Sequence, residues 1–214
     1  FSLRYSKSSN SKKYKKVLQN TMNINAQSLN NAVNNVILPL SREPKHPLGV
    51  TLLDDFLNGF NKPALRDMIW CVPANLKESY GKKWECSNEL NLSDEMYKLS
   101  QIDSFDGLPV IYAWSLSSVE NFKRQEYRTK LMEWAYNTPE QFYQLFLKFA
   151  FVNDPQIRSD MYSILMSLLF EVDNIKLLKI VSEWLLENIL SPQKIDENCD
   201  ISIRYYCINI IRKA

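Results

Sequence analysis

Apolar residues recur at helical spacing along most of this chain. Lys12–Asn23 places Tyr14, Val17, Leu18 and Met22 on one face, and Ala26–Leu38 does the same with Leu29, Val33, Val36 and Ile37. The many asparagines here, Asn30, Asn31, Asn34 and Asn35 among them, weaken those helices. Ser41–Pro47 then breaks the pattern, bracketed by Pro39, Pro44 and Pro47, because helices tend to end before proline. A helix opening at Pro47 or Leu48 carries Leu52, Leu53, Phe56 and Leu57, and Asn58-Gly59 reads as its C-terminal stop. Pro63 opens another, with Leu65, Met68, Ile69 and Trp70 inward and Arg66 and Asp67 pointing elsewhere. Val72–Leu92 is irregular, and Ser93 caps a short helix through Met96, Leu99 and Ile102.

From Leu108 onward the helices follow closely: Leu108–Ser118, Phe122–Asn137, Pro139–Phe151, Asp154–Val172, Ile175–Leu190 and Ile201–Lys213. Thr138-Pro139-Glu140-Gln141 reads as a capping box with proline at the first helical position, and Asn153-Asp154-Pro155 as a second cap. No segment alternates with period two, so the expected fold class is all-α without sheet. Asp154-Pro155-Gln156-Ile157-Arg158 is echoed 46 positions later by Asp200-Ile201-Ser202-Ile203-Arg204. A helix-pair period of that size predicts a HEAT-like α-solenoid of antiparallel helix pairs. In each copy the aspartate would cap a helix, the isoleucine face the core and the arginine touch a neighbouring repeat. Tyr127-Arg128, before Leu131 and Trp134, reads as a third, looser copy. The implied organisation is a mobile arm over 1–10, N-terminal helices over 11–40, a linker over 41–47 and helical repeats over 48–214.

Composition narrows the function. Four glycines in 214 residues are few for a fold that cradles phosphates, and neither a G-x-x-x-x-G-K-[ST] nor a G-x-G-x-x-G loop is present. His46 is the single histidine and sits in the proline-bracketed linker, so it supplies neither a zinc ligand set nor a catalytic triad. Asp54-Asp55, Asp94-Glu95 and Asp196-Glu197 are adjacent acids, which diverge by about 100° on a helix and make no convergent dyad. The expectation is a non-enzyme without cofactor or metal. Cys71, Cys86, Cys199 and Cys207 form no C-x-x-C pair and read as reduced thiols of a cytoplasmic protein. The chain opens at Phe1 without a signal-peptide pattern, and it holds no apolar run of the roughly 20 residues a membrane span needs; a fragment of a larger parent is expected.

Net charge is +2, yet Arg4, Lys7, Lys12, Lys13, Lys15 and Lys16 precede any acid. This basic arm is a solvated tail or, as the alternative, a nucleic-acid contact. Lys82-Lys83-Trp84 is a candidate exposed interaction anchor, with burial beneath its loop equally open. Arg66-Asp67-x-x-Trp70 is a candidate structural lock, joining a charge-assisted hydrogen bond to aromatic packing. Trp70, Trp114, Trp134 and Trp184 read as core.

One ordered series of short motifs adds a family. His46-Pro47-Leu48, Leu52-Leu53 with Phe56-Leu57, Arg66-Asp67-x-x-Trp70, Ala113-Trp114-Ser115-Leu116-Ser117-Ser118, Tyr127-Arg128-x-x-Leu131, Phe149 and Val152-Asn153-Asp154-Pro155 with Arg158 and Met161-Tyr162 run in sequence. Over residues 44–170 the chain resembles the helical region that follows the nucleotide-binding module of bacterial STAND ATPases, including the AVAST (Avs-type) antiphage sensors. It departs from that pattern at Gln156, where an aromatic residue is expected. The resemblance implies a sensor or junction segment that recognises a phage structural protein, terminase or portal, within a parent that oligomerises on activation. Any ATPase or effector activity would then lie elsewhere in the parent. A generic protein-interaction module is the alternative.

Overall fold

The computed structural model describes residues 16, 36–41, 49–60, 62–70, 107–194 and 200–214. Among the described residues every regular element is helical, so the fold is all-α. Residues 1–10, Lys12–Asn23 apart from Lys16, Pro44 and Pro47, His46, Val72–Leu92, Ser93 and the short helix expected after it, Asp94-Glu95, Asp196-Glu197, Cys71, Cys86, Cys199 and Lys82-Lys83-Trp84 lie outside the described residues. The chain divides into two compact units, 1–97 with 106–111, and 98–105 with 112–214.

In the first unit, α1 (Leu38–Ser41) packs on α2 (Gly49–Asn58), and α3 (Pro63–Trp70) follows. Pro39 does not stop the chain as its ring chemistry suggested. It sits in the first turn of α1, where a missing N–H costs nothing, and the helix continues to Ser41, whose hydroxyl donates to Ile37 O at 2.7 Å. In α2 the apolar face is Leu52, Leu53 and Leu57, all buried. The helix ends at Asn58, but Gly59 is not left-handed: its N–H still reaches Asp55 O and Phe56 O, so the stop is a tightened last turn rather than a glycine cap. α3 also departs from expectation. Arg66 is turned inward with 1% exposure, while Trp70 is only half-buried. The side chains of Leu65, Met68 and Ile69 lie outside the description.

The second unit is built on α4 (Leu108–Ser115), which begins in the first, and on α5 (Asn121–Asn137), α6 (Pro139–Phe149), α7 (Pro155–Glu171), α8 (Ile175–Asn188) and α9 (Ile201–Lys213). Gly107 precedes α4 at φ 77°, a left-handed conformation that suits glycine, and its carbonyl accepts the first helical bond from Ile111 N–H. The expected helix to Ser118 is shorter, because Leu116, Ser117 and Ser118 bond three residues back and wind into tight turns.

Helix packing is ordered along the chain. α7 packs on α5, α6 and α9; α5 also packs on α6, and α8 on α9. Polar contacts fix direction. Arg124 meets Asp160 and, one turn on, Arg128 meets Ser163, so α5 and α7 run the same way. Lys213, at the end of α9, reaches Leu169 O and Phe170 O at the end of α7, so these two also run together. Asn174 donates to Glu140, and Trp184 packs edge-on against Phe146 at 5.6 Å, which aligns α8 with α6. The core among these helices is aromatic: Trp114 on Phe149, Trp134 on Phe142, and Phe146 on Tyr162 at 4.9 Å. Trp114 and Trp134 are buried, while Trp184 is half-buried and also touches Phe151. No described helix is long and apolar enough to cross a membrane.

Candidate functional site

The feature that recurs in the second unit is an acid-capped helix start. Asp154 Oδ1 accepts from Gln156 N–H and Ile157 N–H, both at 2.9 Å, occupying two of the four orphan donors of α7. Asp200 Oδ1 does the same for α9, accepting from Ser202 N–H at 2.8 Å and Ile203 N–H at 3.1 Å. Ile157 and Ile203 are fully buried. The first helical bond of each is closed by an arginine amide, Arg158 N–H to Asp154 O and Arg204 N–H to Asp200 O.

α5 opens in the same frame. Glu120 is its N-cap residue, its carboxylate pairing with Lys123 Nζ at 2.9 Å rather than capping a backbone amide, and Arg124 N–H closes the first turn on Glu120 O. The arginine that follows the N-cap of α5 by four residues is therefore Arg124, one turn before the Tyr127-Arg128 that sequence spacing suggested. The cap position, which sequence alone leaves blurred by a turn, sets the register. This register also explains a side chain that sequence reading missed. Lys130 falls at the position of Ile164 and Ile210, both fully buried, and is itself only 2% exposed. Its Nζ lies 5.4 Å above the Tyr112 ring and 3.9 Å from Glu126 Oε1. Burial lowers its pKa, with the Glu126 and Glu133 charges pulling the other way.

A polar cluster joins α5 to α7. Arg124 Nε is 3.5 Å from Asp160 Oδ2, Arg128 Nε is 4.0 Å from Asp160 Oδ1, and Arg128 Nη2 donates to Ser163 Oγ at 2.6 Å. Gln156 Nε2 donates to Asp160 Oδ2 at 3.1 Å. Asp160 and Ser163 are buried. Desolvation raises the Asp160 pKa; the Gln156 hydrogen bond and the two arginines oppose it without winning. None of Arg124, Arg128, Gln156, Asp160 and Ser163 is exposed, and the geometry is that of a helix-to-helix joint. The signal that would have found it is the four-residue spacing of Arg124 and Arg128 on one helix and of Gln156 and Asp160 on the next.

The joint between α7 and α9 is less polar. Arg158 stands by the Tyr162 hydroxyl on its own helix, and its charge acts on Cys207 of α9. Burial raises the pKa of Tyr162 strongly and that of the Cys207 thiol to about 12. Lys213 Nζ donates to Leu169 O at 2.7 Å and Phe170 O at 3.0 Å, satisfying two terminal carbonyls of α7.

The other sequence candidates divide. Arg66 Nε lies 3.9 Å from Asp67 Oδ1, so those two are brought together, with Trp70 half-buried further along α3. Asp154, Arg158, Asp200 and Arg204 lie at equivalent positions of α7 and α9. Asp54 is buried and Asp55 exposed, on diverging faces of α2. The capping box at Thr138 is not formed. Thr138 is the single residue between α5 and α6, and its hydroxyl and amide both turn back to Trp134 O at 2.9 Å; it closes the helix behind and leaves the one ahead without a side-chain cap. Among the described residues no group of three or more His, Cys, Asp or Glu side chains could hold a metal ion. No family model, curated protein or solved structure matches this chain.

Proposed function

We propose that this chain is a non-catalytic, HEAT-like α-solenoid of antiparallel helix pairs, serving as a protein-recognition scaffold in the cytoplasm. The observation that carries the reading is the acid-cap, buried N3 and Arg N4 sequence of α7 and α9, with α5 in the same frame and α7 between the two. The shared direction of α5, α7 and α9, and of α6 and α8, supports a stack of equivalent pairs. Such a stack presents a long surface assembled from many helices, suited to recognising a protein by shape.

On the motif series between His46 and Tyr162, the parent would be a STAND-type antiphage ATPase and this segment its sensor or junction. Its ligand would be a phage structural protein, and a cofactor would bind elsewhere. The test is capture of purified phage terminase and portal proteins by the immobilised chain, with solution affinity measured for any that bind. Micromolar or tighter binding to one of them supports the sensor reading. If neither binds while the full parent still responds to phage, this segment is not the contact surface, and a general interaction module remains.

A further inference from the structure

We infer that Asn58 is a site of spontaneous, backbone-assisted deamidation in the folded chain, and that its product loosens the end of α2. Asn58 is the one asparagine of the sequence that is followed by glycine. The reaction brings the amide nitrogen of the next residue onto the carboxamide carbon, an approach that a side chain on that residue obstructs and glycine leaves open. The fold decides whether this signal is realised, and it holds both reacting groups loosely. Asn137, Asn188 and Asn209 each donate Nδ2–H to the carbonyl four residues back, at 2.8, 2.9 and 2.8 Å. Asn58 is exposed, and its carboxamide makes no hydrogen bond among the described residues. The Gly59 N–H is shared between Asp55 O at 3.2 Å and Phe56 O at 3.3 Å, the long edge of an amide hydrogen bond. It also closes the last turn of a helix, where fraying costs little. Rotation about the Cα–C bond of Asn58 breaks those two weak contacts and carries the Gly59 nitrogen toward Cγ.

Hydroxide removes the Gly59 N–H proton, and the nitrogen attacks Cγ of Asn58. The bond from Cγ to Nδ2 breaks, Nδ2 takes a proton from water and leaves as ammonia, and a succinimide ring closes. Water then opens the ring at either carbonyl and leaves an aspartate or an isoaspartate at position 58. Water is consumed, ammonia is released, and nothing is oxidised or reduced. The new carboxylate stands at the C-terminal end of α2, where the helix dipole is negative, and lies three and four residues from Asp55 and Asp54. Each of these charges opposes the last turn, which carries the fully buried Leu57 and the Phe56–Phe60 ring pair at 5.2 Å. The site lies in the first unit and is independent of what the second unit binds.

The full chain is incubated in mildly alkaline buffer, with and without urea, and the tryptic peptide carrying Asn58 is followed by mass spectrometry. In the folded chain Asn58 should convert at least about tenfold faster than Asn188 and Asn209, a barrier lower by roughly 1.4 kcal/mol. The rate should rise with pH, and an isoaspartate-specific carboxyl methyltransferase should label the product. Gly59→Ala should suppress conversion; its Cβ meets Asp55 O at 3.2 Å and Phe56 O at 3.3 Å, a crowding that a small shift relieves. Asn58→Gln, which must close a larger ring, serves as the second variant if the first does not fold. Amide exchange over residues 56–59 should be faster in the modified fraction, separated by its added charge. Conversion seen only in urea, conversion no faster than at Asn188, conversion undiminished by the substitution, or unchanged exchange in the modified fraction overturns the proposal.

Discussion

α7 has two flanks, and they solve the same packing problem with different chemistry. Toward α5 it offers a buried carboxylate and a hydroxyl to two arginines. Toward α9 it offers apolar side chains, a buried tyrosine and its own terminal carbonyls. The register is shared, so side-chain identity rather than backbone placement sets the strength of each joint. Apolar burial gains roughly 25 cal/mol per Å² and needs no exact partner. A buried ion cluster sets its attraction against desolvation and often breaks even. The polar flank therefore fixes register, and the apolar flank supplies the greater share of stability.

The sharpest way to break that contrast is to cut the apolar flank. Ile203→Ala should destabilise the unit by about 2–5 kcal/mol, the range for large-to-small substitutions at fully buried sites. Urea unfolding reads this directly, and a loss below that of a surface substitution would mean that α9 is not held by its buried face. The two caps give a matched pair. Asp154→Ala and Asp200→Ala should each cost about 1 kcal/mol, with the larger loss at Asp154, which is buried where Asp200 is half-exposed. Equal losses, or a larger one at Asp200, would reject the view that burial grades the two copies.

The polar flank is tested by pH. The Asp160 carboxyl has a raised pKa in the folded chain, so between its ordinary 3.8 and that raised value the native state holds a proton the unfolded state has released. Its stabilising contribution is complete below the ordinary value and is lost as pH rises through the folded pKa. Asp160→Asn should remove that downward slope, seen in denaturation midpoints across the acid range; an unchanged slope assigns it to other groups. The smallest expected effect is chemical. With its thiol pushed up to about 12 and buried, Cys207 should resist alkylation in the native chain and react on unfolding. Rapid native labelling, followed by mass spectrometry of the peptide containing Cys207, would show that the α7–α9 joint opens freely.

Much of the second unit is legible in the sequence because its helices are punctuated by residues whose chemistry is local. Asp154 and Asp200 cap with their own side chains, and Pro139 and Pro155 sit at first helical positions. What escaped reading depends on partners distant in the chain. Lys130 looks like a solvated cation until the register places it in an apolar column beneath Tyr112. Arg66 is polar by identity but buried by position. Thr138 carries a capping signature, yet a one-residue connection lets its hydroxyl serve either helix, and the preceding one takes it. The Arg124, Arg128 and Asp160 cluster spans more than thirty residues of sequence and becomes visible only when α5 lies beside α7.

The one-residue connection at Thr138 also bears on the order in which the chain folds. Loop-closure entropy rises with connection length, and contacts close in sequence form before distant ones. Trp134 and Phe142 are already within reach across that turn, whereas α9 is tethered to α8 by residues 189–200 and must find α7 from afar. The α5–α6 hairpin should then gain amide protection first in pulsed hydrogen exchange, and α9 last. Protection of α9 no later than α5 and α6 would contradict that sequence of events. During synthesis such an order lets the ordered hairpin wait as a template, with the exposed flank of α7 screened only when α9 arrives.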